Sequence, residues 1–86
     1  MNKKSITPKI KNGTICTLSE NNLIVFRLVG KNYKLGYPYG DVVMFRGELT
    51  TGGGCQTVAY TNKWEEATPA QKEKFISECK KHNIKL

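Results

Sequence analysis

Leu23-Ile24-Val25-Phe26-Arg27-Leu28-Val29 is the stretch of this 86-residue chain that decides the fold. It is rich in β-branched and aromatic residues, and turn clusters bound it on both sides, so it reads as a strand. One face presents Ile24, Phe26 and Leu28. The other presents Leu23, Val25, Arg27 and Val29. A strand covered on one side only alternates apolar with polar. Apolar side chains on both faces put this one inside a sheet or in a small curled barrel.

N-terminal to it, Ser19-Glu20-Asn21-Asn22 is a turn cluster and Thr14 to Leu18 a short β-branched strand. C-terminal to it, Gly30-Lys31-Asn32 turns the chain and Tyr33 to Leu35 is expected to pair back as a short strand. Gly36-Tyr37-Pro38-Tyr39-Gly40-Asp41 reads as a loop, with Pro38 at the second position of a β-turn and Gly40 at the fourth. Val42 to Leu49 alternates as one strand. Val43, Phe45, Gly47 and Leu49 lie on one face, with Val42, Met44, Arg46 and Glu48 on the other. Gly47 is expected to bend it. Thr50-Thr51-Gly52-Gly53-Gly54 is a hairpin connection, and Cys55 to Thr61 the last strand, with Val58 and Tyr60 inward or at an edge.

The period then changes from strand to helix. Thr68-Pro69-Ala70-Gln71 combines a capping threonine, a proline at the first helical position and a glutamine that completes a capping box. Phe75, Ile76 and Cys79 form an apolar stripe at helical spacing. Glu65, Glu66 and Glu73 favour the positive end of the helix, and Lys80, Lys81 and His82 its negative end. Asn83 suits a left-handed cap, with Ile84 folding back toward Cys79. The expected helix covers about 69–82, and Trp64 is expected to anchor it. The fold class is α+β, mainly β: a small SH3- or OB-like barrel, or a strongly twisted antiparallel sheet of about five strands, closed by one C-terminal helix. Residues 1–12, with Lys3, Lys4, Lys9 and Lys11, read as a loosely ordered basic arm, and 13–86 as a single domain.

Fourteen Lys and Arg against seven Asp and Glu give a formal charge of +7. Such an excess attracts polyanions. Twelve of the fourteen are lysines, which act as solvated point charges; the forked donors are Arg27 and Arg46 alone. Each interrupts an apolar strand face. There it needs either an acid, such as Glu48, or a ligand anion. Tyr33, Tyr37 and Tyr39 cluster around Pro38 beside Lys31 and Lys34, a combination suited to base stacking with phosphate attraction. The candidate ligand-binding residues are therefore Arg27, Lys34, Tyr37, Tyr39 and Arg46.

No catalytic constellation is legible. His82 sits at a helix end, Ser5, Ser19 and Ser77 fall in a tail, a turn and a helix, and the carboxylates have no spacing that pairs them. Gly52-Gly53-Gly54 precedes a strand, whereas a phosphate-binding glycine loop precedes a helix. Cys16, Cys55 and Cys79 are too widely spaced for a metal knuckle, so no metal or cofactor is expected. Met1 to Lys11 lacks the apolar segment of a leader, and no run reaches a membrane-spanning length. Three cysteines is an odd number, and a reducing cytoplasm fits best, with the cysteines expected to act as small buried hydrophobes.

Trp64-Glu65-Glu66-Ala67-Thr68-Pro69-Ala70-Gln71-Lys72-Glu73-Lys74-Phe75 resembles the tail of small uncharacterised proteins of bacteriophages and mobile elements of gut bacteria, in which such a helix follows an SH3-like β-unit. Where those carry two acidic residues after Thr-Pro, this chain has Ala70-Gln71. The resemblance implies a phage accessory protein in the host cytoplasm, of the kind that blocks host defences. The leading expectation is a non-catalytic protein that sequesters a phosphate-bearing nucleotide, as a homo-oligomer. The alternatives are a small nucleic-acid-binding module and an inhibitor that docks on an acidic host protein.

Overall fold

The computed structural model describes residues 10–50 and 55–85. Residues 1–9 of the basic arm and the Gly52–Gly54 run lie outside the described residues. The elements are β1 (Ile15–Leu18), β2 (Asn21–Lys31), β3 (Pro38–Phe45), β4 (Glu48–Thr50), β5 (Gln56–Thr57), β6 (Trp64–Glu66) and α1 (Pro69–Lys81). The strands form one antiparallel sheet in the order β4-β3-β2-β1-β6, with β5 pairing β3 beyond β4. Among the described residues no pairing joins β4 to β6, so the sheet is open rather than closed into a barrel.

The decisive stretch is interior, flanked by β1 and β3. Its two faces serve two cores. On the helix side, Val25 joins Ile15, Val42, Met44 and Ala67 beneath Phe75 and Cys79. On the other side, Phe26 and Leu28 join Cys16, Leu18 and Trp64, with Ile10, Ile24, Val43, Val58 and Ala59 packed around them. The pairing register explains the sorting. Val25 faces Met44 and Phe26 faces Val43, so each cross-strand pair belongs to one face. Ile10 belongs to this second core, and the Gly13 amide donates to the Leu28 carbonyl at 2.6 Å, so the folded part takes in the end of the basic segment.

Several expectations are corrected. Val42 to Leu49 is a hairpin, not one strand. Phe45 pairs with Glu48, and the two residues between them, Arg46 and Gly47, have φ of 54° and 82°. Positive φ at both central residues is what a two-residue turn between right-twisted strands needs. Gly47 therefore makes a turn instead of a bend, and Arg46 leaves the strand face. Second, Pro38 opens β3 rather than sitting in a turn. It is buried, and its carbonyl accepts from the Val58 amide at 2.9 Å. A proline has no amide to donate, which is tolerated at the first residue of a strand. Third, residues 33–35 form a turn, not a strand. The Asn32 side chain organises it, accepting from the amides of Lys34 (2.9 Å) and Leu35 (2.8 Å), while the Asn32 carbonyl accepts from Gly36 (2.8 Å). The last predicted strand shortens to Gln56–Thr57, Val58 packs on the second core, and Tyr60 stands 83% exposed.

The helix forms as its sequence predicts. The Gln71 amide donates to Thr68 Oγ1 at 3.2 Å and the Thr68 amide to Gln71 Oε1 at 2.8 Å, completing the box. Asn83 has φ of 57°, and the Ile84 amide returns to the Cys79 carbonyl at 2.8 Å, which closes the helix end. Phe75 and Cys79 are fully buried, whereas Ile76, about 100° further round the helix, is 37% exposed. Trp64 does not anchor the helix. It lies in β6, on the opposite face, edge-on to Phe26 at 6.4 Å, and its indole N–H donates to the Gly36 carbonyl at 2.8 Å. It anchors the turn between β2 and β3 instead.

Candidate functional site

The five predicted ligand residues fall in three places. Lys34 and Tyr37 belong to the Asn32–Tyr37 turn at one end of the sheet, and Tyr39 lies close behind, paired with Gly30 and Thr57. Arg46 is in the turn that follows β3, at the opposite end. β3 runs Pro38–Phe45, so the two turns are separated by roughly 25 Å of extended chain. No small ligand spans that distance.

Arg27 lies between them, and its guanidinium is already engaged. Nε donates to Asp41 Oδ1 at 3.0 Å, and Nη2 donates to Asp41 Oδ2, making a forked ion pair. Nη1 reaches the Lys85 carbonyl at 3.5 Å. The register creates this pair. Between Phe26 and Leu28 the partner strand steps from Val43 to Gly40, one residue more than β2, and the irregularity brings Asp41 to Arg27. The hydrogen bonds from Arg27 hold the Asp41 carboxyl below the usual carboxylate range. Arg27 is thus matched by an acid within the fold. Arg46 is exposed, with its guanidinium carbon 5.3 Å from the Phe45 ring centroid.

What remains together is the end of the sheet where the Asn32–Tyr37 turn runs beside residues 60–63. Tyr33 is 88% exposed and Tyr60 83%. Tyr37 meets Tyr60 edge-to-face at 5.8 Å, and the Lys34 ammonium lies 5.9 Å from the Tyr33 ring centroid. Lys31, Asn32, Tyr33, Lys34, Leu35, Gly36 and Asn62 line a shallow cleft of about 140 Å³. Lys31 and Lys34 make no ion pair among the described residues. The scaffold below is fixed: Asn32 ties the turn internally, the Asn32 amide donates to the Tyr37 carbonyl at 2.9 Å, and Trp64 holds Gly36 from beneath. This end is an exposed aromatic platform with free cations, mounted on a pinned turn.

Tyr60 is the member that the sequence pattern misassigned. The polar run Thr61-Asn62-Lys63 after it was the available signal that the strand had already ended. Elsewhere, no cluster of three or more His, Cys, Asp or Glu among the described residues is arranged to hold a metal ion. Cys16 and Cys79 are buried free thiols, whereas Cys55 is exposed rather than the buried hydrophobe expected, and burial pushes the Cys16 thiol up to about 12. No described helix is long and apolar enough to cross a membrane. No family model, no curated protein and no solved structure matches the chain.

Proposed function

We propose that the protein is a non-catalytic binding module for single-stranded nucleic acid, engaged at the end of the sheet built from the Asn32–Tyr37 turn and residues 60–63. One observation carries this reading. Tyr33 is 88% exposed on the turn tied by Asn32, Tyr60 is 83% exposed against Tyr37 of the same turn, and Lys31 and Lys34 beside them make no ion pair among the described residues. Apart from the edge-to-face contact of Tyr60 with Tyr37, both rings are offered to solvent. Stacking on a base contributes about 1–3 kcal/mol per ring, and lysines alongside follow a phosphate backbone without needing forked geometry. The +7 charge adds long-range attraction.

The same chemistry would take a free nucleotide, but the geometry favours a strand. The 140 Å³ cleft is well below the roughly 300–1,000 Å³ of pockets that enclose small ligands. Arg27, the best phosphate fork in the chain, is engaged with Asp41. An open platform suits successive bases of a polymer.

Fluorescence-anisotropy titration of a labelled oligothymidylate, its RNA counterpart and labelled mononucleotides, each at two salt concentrations, tests the reading. The expected result is oligonucleotide binding with log K falling in proportion to log salt, about 0.7 for each phosphate contact, and weak mononucleotide binding. Saturable, salt-insensitive binding of one nucleotide would replace it with the sequestration reading. No binding to any probe would refute both.

A further inference from the structure

At the far end of the sheet lies a second feature that the proposed function does not use. A groove of about 300 Å³ runs between the β3–β4 turn and the first half of α1, lined by Asn22, Leu23, Val25, Met44, Arg46, Gly47, Gln71 and Lys74. Its floor is aliphatic. Val25 and Met44 are buried parts of the helix-side core, and Leu23 beside them is 50% exposed. Its charged rim is cationic only. Arg46 and Lys74 line it, no carboxylate does, and neither cation forms an ion pair among the described residues. The Lys74 ammonium lies over the turn, so close that a Cβ built on Gly47 would be 3.9 Å from it. Arg46 is held at φ 54°, a conformation that favours Gly or Asn, in a turn for which Asn-Gly is the usual pair. A cation therefore stands where the backbone prefers another residue.

We propose that this groove docks an acidic segment of a partner protein, one aliphatic side chain seated on Leu23, Val25 and Met44 and flanking carboxylates held by Arg46 and Lys74. Charge complementarity selects the occupant. A second copy of the chain carries the same +7 and is repelled, and the chain's own residues 1–9 hold Lys3, Lys4 and Lys9 with no acid. No aromatic side chain lines the groove to stack on a base, which separates it from the tyrosine end. The two sites lie at opposite ends of β2 and β3 and are independent.

The test is an NMR titration of the isotope-labelled full-length chain with three synthetic hexapeptides: two leucines flanked by glutamates, the same with lysines, and two serines flanked by glutamates. The expected result is shift changes at the Leu23, Met44, Gly47 and Lys74 amides with the leucine–glutamate peptide alone. Arg46→Glu with Lys74→Glu should weaken that binding about tenfold or more, since each reversed rim charge turns a weak attraction into a repulsion. Both side chains are exposed, and an unchanged melting midpoint verifies the fold. Tyr33→Ala should leave it intact. The inference is overturned if the lysine or serine peptide binds equally, if shifts appear only near Tyr33, or if no peptide shifts these amides. The peptide comparison on the native chain decides the matter even if the double variant unfolds.

Discussion

Replacing Gln71 by glutamate separates two jobs that one side chain does at the start of α1. Its carbonyl oxygen accepts from the Thr68 amide at 2.8 Å and completes the helix cap. Its amide nitrogen reaches across to the sheet, donating to the Asn22 carbonyl at 3.2 Å and lying 3.4 Å from Thr17 Oγ1. Glutamate keeps the first job and loses the second. The carboxylate gains about 0.3–1 kcal/mol from the positive helix end. Against that, the Asn22 bond contributes about 0.5–1.5 kcal/mol, the longer Thr17 contact a fraction of that, and a carboxylate oxygen would face the Asn22 carbonyl. The net effect is a loss of about 1 kcal/mol, or a midpoint lower by roughly 4–8 °C in a domain of this size. Gln71→Ala removes the box as well and should lose about 2 kcal/mol, taking the cap and cross-strand terms together. Urea and thermal unfolding followed by far-UV circular dichroism measure both. If Gln71→Glu is as stable as the native chain or more so, the clamp onto the sheet contributes nothing and α1 is held by its apolar stripe and cap alone.

The remaining predictions test the sheet and its cysteines. The depressed Asp41 carboxyl contributes stability that is fully present above the unfolded-state value of about 4 and is lost as pH falls through that value toward the folded one. Asp41→Asn should therefore be less stable than the native chain at pH 7, and the difference should narrow below about pH 4 in urea titrations at each pH. Gly40→Ala should destabilise the sheet, because a Cβ there would meet a Val58 methyl at 2.8 Å and the Arg27 carbonyl at 3.2 Å; a midpoint equal to the native one would show that Val58 gives way freely. Alkylation of the native protein should modify Cys55 quickly, with Cys16 and Cys79 reacting only on unfolding, as intact-mass measurements against denaturant would report.

The parts of the fold that announced themselves in the sequence are those whose signals are local. The Thr68–Gln71 box, Pro69 and the Asn83 cap each work within one turn of chain, and all form as read. The Leu23–Val29 run disclosed an interior strand because Val25 and Phe26 are buried on opposite faces, although Leu23 at its start is half exposed. The errors arose where a turn lacked its usual residues or depended on a distant partner. Phe45-Arg46-Gly47-Glu48 continues the alternation of the strand before it, and an arginine in place of asparagine hid the turn. Pro38 resembles turn chemistry until β5 and Val58 arrive to use its carbonyl. Trp64-Glu65-Glu66 is a strand only because β1 offers it an edge, pairing Leu18 with Trp64 and Cys16 with Glu66. The candidate site was legible as a composition, tyrosines beside lysines, but its geometry was not. Arg27 and Asp41 are joined by an irregular register between β2 and β3 that neither strand's own pattern reveals. Tyr60 joins Tyr37 across a segment that the alternation placed in a strand.

The central claim is that Tyr33 and Tyr60 form the stacking platform of a single-strand binding surface. It is tested most directly by the affinity of Tyr33→Ala, Tyr60→Ala and the double variant for a labelled oligothymidylate and its RNA counterpart at fixed salt. Tyr33 and Tyr60 are both exposed, so the variants should keep the native melting midpoint. Each single variant should lose about 1–3 kcal/mol of binding free energy, with the slope of log K against log salt unchanged because no phosphate contact has been removed. Native affinity in the double variant would contradict the account and place any nucleic-acid binding elsewhere on the molecule.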